Sequence, residues 1–289
     1  MRVFSYESMG TKWIIKISDV ISPAEFEAIG QSIQDKSAQF DAAYSRFSSQ
    51  SLIRKLNKPG QYTIPGELFA MLRLYEKLHE VTSGKINPLV GQTLEDLGYD
   101  AGYSFNQKKP ITKTPDFKKA INLLEKNRIL ITEPVLIDIG ALGKGYFVDL
   151  IVAFLRKEGI TNFLVDGSGD MYYQSSENRT LKIGLEDPSD ETKVIAKVDF
   201  SGGAMCSSAG NRRKWRQYHH IIDPISSESP KDILATWVIA QNTALADGLA
   251  TSLFLVSPET LLPHYDFEYL IFNTARRVKQ SQGFHALLF

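Results

Sequence analysis

The sequence predicts an α+β fold, with helices mainly in the first half packed on a largely antiparallel sheet. Two patterns carry this. Apolar residues recur at helical spacing in the first third, with Leu68, Leu72, Tyr75 and His79 on one face. After Phe163, short apolar runs alternate with turn signals: Asp166-Gly167-Ser168-Gly169-Asp170, Asp187-Pro188 and Asp223-Pro224. Helices first and strands later is the arrangement expected of an α+β chain.

The elements follow in order. Residues 3–6 and 12–17 alternate apolar and polar around Met9-Gly10-Thr11 and read as a hairpin turning at Gly10. Ser22-Pro23-Ala24-Glu25 starts a helix, with a capping serine and proline at the first position, running to about Phe40. A short helix over 51–56 is stopped by Pro59-Gly60. Another spans 67–81 and ends at Thr82-Ser83-Gly84, and residues 85–100 read as irregular. The polar residues 101–115, with Gly102, Pro110 and Pro115, read as a surface excursion within one domain covering 1–289. A helix over 116–123 and a strand over 129–137 lead into a glycine-rich stretch and a helix that ends at Gly159. Strands are expected at 163–165, 171–173, 181–185, 194–200, 204–207, 215–222 and 233–240. A buried helix over 243–256, a short helix from Ser257-Pro258-Glu259 and a final strand over 268–272 close the chain.

Composition narrows the function classes. The 289 residues are 43% hydrophobic and 23% charged. A chain of this size buries roughly 75% of its unfolded surface. Net charge is zero, which argues against an extended nucleic-acid footprint but leaves room for a local basic patch. The single cysteine, Cys206, rules out an intramolecular disulfide framework. No apolar run reaches the length of about 18 residues that suits a transmembrane helix. The first residues, with Glu7 interrupting any apolar core, do not read as a signal peptide. A cytoplasmic location is therefore expected, or a periplasmic one if a leader has been trimmed.

The stretch 138–149, D-I-G-A-L-G-K-G-Y-F-V-D, concentrates three glycines, the carboxylate of Asp138 and the cation of Lys144. Glycines at a strand-to-helix turn let backbone approach a ligand, and a helix N-terminus offers free N–H groups, so this reads as a phosphate site. It matches neither a Walker A loop nor G-x-G-x-x-G. Asp247 and Thr251, four apart on a helix, place two oxygen donors on one face, as a hard cation such as Mg²⁺ requires. The same pair is also a common helical spacing without a metal. His219 and His220 precede Asp223-Pro224, and on a strand only one of them can face a given site, either as a general base or as a satisfied structural histidine. Ser207-Ser208-Ala209-Gly210 with Asn211-Arg212-Arg213-Lys214 offers an anion site or a solvated basic loop. Phe47 and Trp215 suit either ring stacking or core packing.

Taken in order, these residues resemble the motifs of the ApbE family, the FAD:protein FMN transferases. Met9-Gly10-Thr11 resembles the family's M-G-T, and Ser45-Arg46-Phe47 with Ser51 and Leu56-Asn57 its aromatic-then-S-E-L-x-x-L-N segment. Gly84-Lys85-Ile86-Asn87-Pro88-Leu89-Val90-Gly91 is similar to G-x-F-D-P-T-V-G, and residues 138–146 to D-L-G-G-I-A-K-G-Y. The turn at Asp166–Asp170 fits G-G-D, residues 220–224 resemble H-I-I-D-P, and 246–251 A-D-A-L-A-T. The resemblance implies a T-fold-like architecture and an FAD site contacted by Met9, Phe47, Lys85, Ile86, Asn87, Asp138, Lys144 and Ile221, with Phe47 against the flavin. It implies that the Ala141 carbonyl, Asp247 and Thr251 hold Mg²⁺, that His220 rather than His219 is the base, and that Lys144 is a second cation. The implied reaction is Mg²⁺-dependent transfer of FMN from FAD to a threonine or serine hydroxyl of an acceptor protein, releasing AMP. An FAD pyrophosphatase giving FMN and AMP, or a non-catalytic FAD-binding protein, are the alternatives. This chain departs from the family pattern at Asn87 and Leu89, where the family has aspartate and threonine, at Leu52, and at Ser226-Ser227-Glu228.

Overall fold

A computed structural model describes residues 1–108 and 110–289. Its centre is an eight-stranded antiparallel sheet. In spatial order the strands are Arg2–Ser8, Thr11–Ile17, Phe163–Asp166, Met171–Gln174, Gly203–Ala209, Ile233–Ala240, Phe267–Asn273 and Val278–Gln280. The first two pair from Ser8–Thr11 to Arg2–Ile17, leaving Met9 and Gly10 as a two-residue loop. Both have positive φ, 52° and 68°, the twist that two-residue hairpin loops favour.

Both faces of this sheet are covered, and the two-residue period of its strands feeds both cores. Cys206, Val238 and Ile271 face one core; Met205, Trp237 and Leu270 face the other. The first core lies under the helices Pro23–Tyr44, Gly66–Val81, Gly143–Lys157 and Thr243–Ser252. The second is closed by a small sheet of Leu181–Asp187, Asp190–Phe200 and Leu287–Leu288. Gly60–Thr63, Arg128–Ile131 and Ile121–Leu124 form another small sheet, and Lys214–Trp215 pairs with Tyr218–His219. The long N-terminal helix has the expected start: Glu25 N–H donates to Ser22 Oγ and Ser22 N–H to the Glu25 carboxylate, each at 3.1 Å.

The α+β class holds, but the helices are not gathered in the first half: Gly143–Lys157 and Thr243–Ser252 lie at the heart of the fold. Other expectations change for local reasons. The strand expected over 129–137 stops at Ile131. Pro134 cannot donate to a ladder, and Val135, Leu136 and Ile137 instead run buried through the core, without a partner strand among the described residues. Residues 121–124 are a strand rather than the end of a helix, because they pair with Arg128–Ile131 across a turn in which Lys126 and Asn127 have positive φ. The strand expected over 215–222 is a tight hairpin, reversed at Arg216, whose φ is 50°. Residues 85–100 contain a short helix, Gly91–Asp96, and two strands follow the one expected to be last. The first helix runs to Tyr44, and the helix expected to reach 256 ends at Ser252. Among the described residues, no helix is long and apolar enough to cross a membrane.

Candidate active site

The core that builds the site is the packing of helix Gly143–Lys157 on helix Thr243–Ser252. Gly145 makes it possible: a Cβ there would lie 2.3 Å from the Thr243 carbonyl oxygen and 2.8 Å from Asp247 Cβ. At this close approach the Gly145 N–H donates to Asp247 Oδ2 at 3.0 Å, across 102 residues of sequence. Asp149, four residues further along helix Gly143–Lys157, receives the N–H groups of Thr243 and Ala244, each at 2.9 Å. A carboxylate at that N-terminus complements the helix dipole. The two helices are thus locked together at both ends of the contact.

Asp247 is 2% exposed. Burial pushes its carboxyl above the usual range, Lys144 and the Gly145 amide pull it back, and Asp149 pushes it further up. Thr251 lies one turn on, its hydroxyl 3.5 Å from the Ala141 carbonyl oxygen and 3.4 Å from Ser208 Oγ. Ala141 is held from behind by the buried Tyr75, whose hydroxyl accepts its N–H at 3.2 Å. The Thr251 hydroxyl and the Ala141 carbonyl therefore meet one helical turn from Asp247, although Ala141 and Thr251 are 110 residues apart in sequence.

These groups open onto a cavity of about 680 Å³, also lined by Phe47, Lys85, Ile86, Asn87, Asp138, Lys144, His220 and Ile221. A smaller cavity of about 270 Å³ adjoins it, lined by Met9, Tyr44, Arg46, Phe47, Tyr103 and Asp138. Phe47, Asp138 and Lys144 line both. Every residue that the resemblance implies for the site therefore borders one of two cavities with shared walls, the larger of a size typical for a small-molecule pocket, whereas Trp215 and His219 line neither.

The turn before the helix is not the free anion cradle that its glycines suggest. The N–H groups of Gly143 and Tyr146 donate to the carbonyls of Ile139 and Leu142, and that of Gly145 is taken by Asp247. Cationic character comes from side chains instead. Lys144 Nζ pairs with the fully buried Asp170. Lys85 Nζ donates to the Leu255 carbonyl at 3.0 Å, with Asp223 3.7 Å away. Asn87 spends both ends on backbone, donating to Pro115 O at 2.8 Å and accepting from Leu89 N–H at 2.9 Å. A carboxylate at 87 would face the Pro115 carbonyl, which rationalises the amide in this chain.

The two histidines separate by partner. His219 Nε2 lies 2.9 Å from Pro230 O and Nδ1 lies 3.3 Å from Ile221 N. An Nε2-protonated ring that accepts at Nδ1 satisfies both contacts, so His219 is committed to structure. His220 lines the cavity, and its Nδ1 is buried without a partner among the described residues. Its pKa is pushed down to about 3, first by burial, then by Arg213, His219 and Lys144. At neutral pH it is an uncharged proton acceptor.

The sequence model of the ApbE family matches residues 9–268. This chain belongs to the ApbE family. It is 24% identical to the FAD:protein FMN transferase of Buchnera aphidicola, over 86% of this chain and 78% of that protein. It is 23% identical to the protein of the same name from Klebsiella pneumoniae, over 89% and 79%. Two solved structures share its fold: the ApbE protein of Thermotoga maritima, with TM-score 0.85, 22% identity and 98% and 97% coverage, and the flavin transferase ApbE of Vibrio cholerae, with 0.83, 19%, 98% and 97%.

Four residues of this ApbE-family site carry roles that no pattern in the sequence assigned. Tyr75 braces Ala141, Asp149 caps the Thr243–Ser252 helix, and Asp170 holds Lys144. Arg46, 2% exposed, pairs with Asp138 and lies 3.6 Å from Glu95, with its guanidinium 4.2 Å from the centre of the Phe47 ring. Arg46 and Asp170 had a visible signal, each lying inside a segment that resembles a family motif, Ser45-Arg46-Phe47 and Asp166–Asp170.

Proposed function

We propose that this protein transfers FMN from FAD to a hydroxyl of an acceptor protein, with Mg²⁺ as its metal, releasing AMP. The convergence of Asp247, Thr251 and the Ala141 carbonyl beside Lys144 and His220 on one cavity carries the reading. The names of the relatives agree with it.

The donor set suits the metal. All three groups are oxygen donors, as Mg²⁺ prefers, and only one is charged. Among the described residues there is no cluster of three His, Cys, Asp or Glu side chains able to hold a metal. Such a site leaves positions for substrate phosphate and water, the usual mode for Mg²⁺. Bound there, Mg²⁺ supplies charge neutralisation on the pyrophosphate.

The protein's own groups do the rest. Lys144 offers a second cation to the phosphate oxygens, at the cost of its contact with Asp170. Phe47 presents its ring to the flavin. His220, uncharged and bordering the cavity, takes the proton of the acceptor hydroxyl as that oxygen bonds to the FMN phosphorus. The bond from this phosphorus to the bridging oxygen breaks, and AMP leaves with that oxygen. Pyrophosphate charge beside His220 would raise its basicity above that of the empty cavity.

The test is incubation with FAD, Mg²⁺ and an acceptor domain carrying a flavinylated threonine or serine, followed by a denaturing gel. Flavin fluorescence on the acceptor band, abolished by a chelator, is expected. Free FMN without a labelled band would mean hydrolysis, and intact FAD would mean binding without turnover.

A further inference from the structure

Phe47 is already covered by a ring. Tyr103 stacks on it with centroids 5.4 Å apart and planes at 12°. Inserting a third ring between them needs two contacts of about 3.5–4 Å each, so the space is closed. Tyr103 is 46% exposed, an unusual place for a large ring that packs on nothing deeper than Phe47 and Tyr99. It sits on the loop that follows Gly98, whose neighbours Gly102, Ser104 and Phe105 are all exposed.

The loop carries strain at Tyr103 itself, although Asp100 anchors it: that carboxylate accepts the N–H groups of Gly102 and Ser104 and the Ser104 hydroxyl, and Phe105 packs on Trp215. Tyr103 and Phe105 both have φ of 48°, a left-handed conformation that non-glycine residues disfavour. Its backbone ties are Tyr103 N–H to Asp100 O, Phe105 N–H to Gly98 O and Lys108 N–H to Asp96 O. The smaller cavity, which Tyr103 lines and the larger one does not share with it, is bordered by Met9, Phe47 and Asp138. These are three of the positions read above as flavin contacts.

We propose that Tyr103 is a place-holder for the flavin ring. It covers Phe47 in the free protein and is displaced when a planar isoalloxazine takes that face, so that one aromatic stack is exchanged for another. This rests on the flavin reading of the site. The exchange favours ligands that carry a large planar ring, because a ligand without one displaces nothing and gains nothing at Phe47. It also keeps the apolar ring surface out of water between turnovers.

The test compares equilibrium binding of FAD and of ADP, which has the pyrophosphate and adenosine but no flavin, in wild type, Tyr103→Ala and Tyr103→Phe. Calorimetry or flavin fluorescence quenching reads the affinities. An aromatic pair is worth about 2- to 10-fold in an equilibrium constant. Tyr103→Ala should bind FAD tighter by about this factor and associate faster, with ADP affinity unchanged. Tyr103→Phe, which keeps the ring, should match wild type. FAD affinity unchanged or weakened in Tyr103→Ala would overturn the proposal, and a weakening would mean that Tyr103 contacts bound flavin. Failure of the wild-type protein to bind FAD at all would overturn the flavin reading itself, independently of the variants.

Discussion

Gly145→Ala tests whether the site depends on the close approach of two helices. The added methyl would sit 2.3 Å from the Thr243 carbonyl oxygen and 2.8 Å from Asp247 Cβ. Ordinary contact needs about 3.5 Å, so the helices must part by roughly 1 Å. Neither obstacle is a flexible side-chain tip: one is backbone, the other the root of the proposed metal ligand. Overpacking of this kind costs about 1–3 kcal/mol. At about 2–4 °C per kcal/mol for larger domains, melting should fall by about 2–12 °C. The same movement stretches the 3.0 Å bond from Gly145 N–H to Asp247 and draws Asp247 and Thr251 together away from the Ala141 carbonyl. A misplacement of 1 Å in a catalytic constellation costs on the order of 100-fold. Thermal denaturation by circular dichroism, with a Mg²⁺ titration of FMN transfer, reads both effects. A variant that melts within about 1 °C of wild type and keeps its turnover would refute the packing argument.

Four further outcomes follow from the geometry. His220→Ala should lower turnover by about 10²–10⁴-fold while FAD affinity stays within a few-fold, as measured by gel fluorescence and by calorimetry. The pKa of His220, pushed down to about 3, lies below the value of about 6.5 of an unfolded histidine. The unfolded chain therefore takes up a proton that the folded chain refuses. Stability is full above about pH 6.5 and is lost as pH falls toward 3; the melting temperature of His220→Asn should decline less from pH 7 to pH 5 than that of wild type. Asp247→Ala should abolish the Mg²⁺ dependence of transfer, with helix content by circular dichroism retained; unchanged Mg²⁺-dependent activity would remove Asp247 from the metal site. Asn87→Asp replaces the donor to Pro115 O with a like-charged face, and should cost about 1–3 kcal/mol, seen as a lower urea midpoint at neutral pH.

Much of the fold was legible because its signals are local. Ser22 with Glu25 caps a helix, Met9-Gly10 turns a hairpin, and Ile233–Ala240 is a strand wherever the chain goes. The misread segments share a cause. Residues 121–124, 132–137 and 215–222 are short stretches with a few apolar residues each, whose state depends on the partner beside them, and periodicity says nothing about partners. Arg128–Ile131 makes a strand of Ile121–Leu124, and the absence of any such neighbour among the described residues leaves Val135–Ile137 as buried coil.

By itself the sequence determined the α+β class and, through motifs in order, the family, and it named the residues proposed for the site. Motifs record which side chains are present at which spacing, and those were enough. Only the tertiary structure decided where they sit and what they touch. It separated His219 from His220 by giving one a carbonyl and the other a cavity. It showed Tyr75 and Asp149 bracing the backbone of the site, and Asp170 pairing with Lys144, contacts that no motif specifies. It also turned Gly145 from a presumed phosphate-loop glycine into the point where two helices touch. Each decision rests on a contact between segments distant along the chain, and burial and hydrogen-bond satisfaction are set by such contacts rather than by neighbours in sequence.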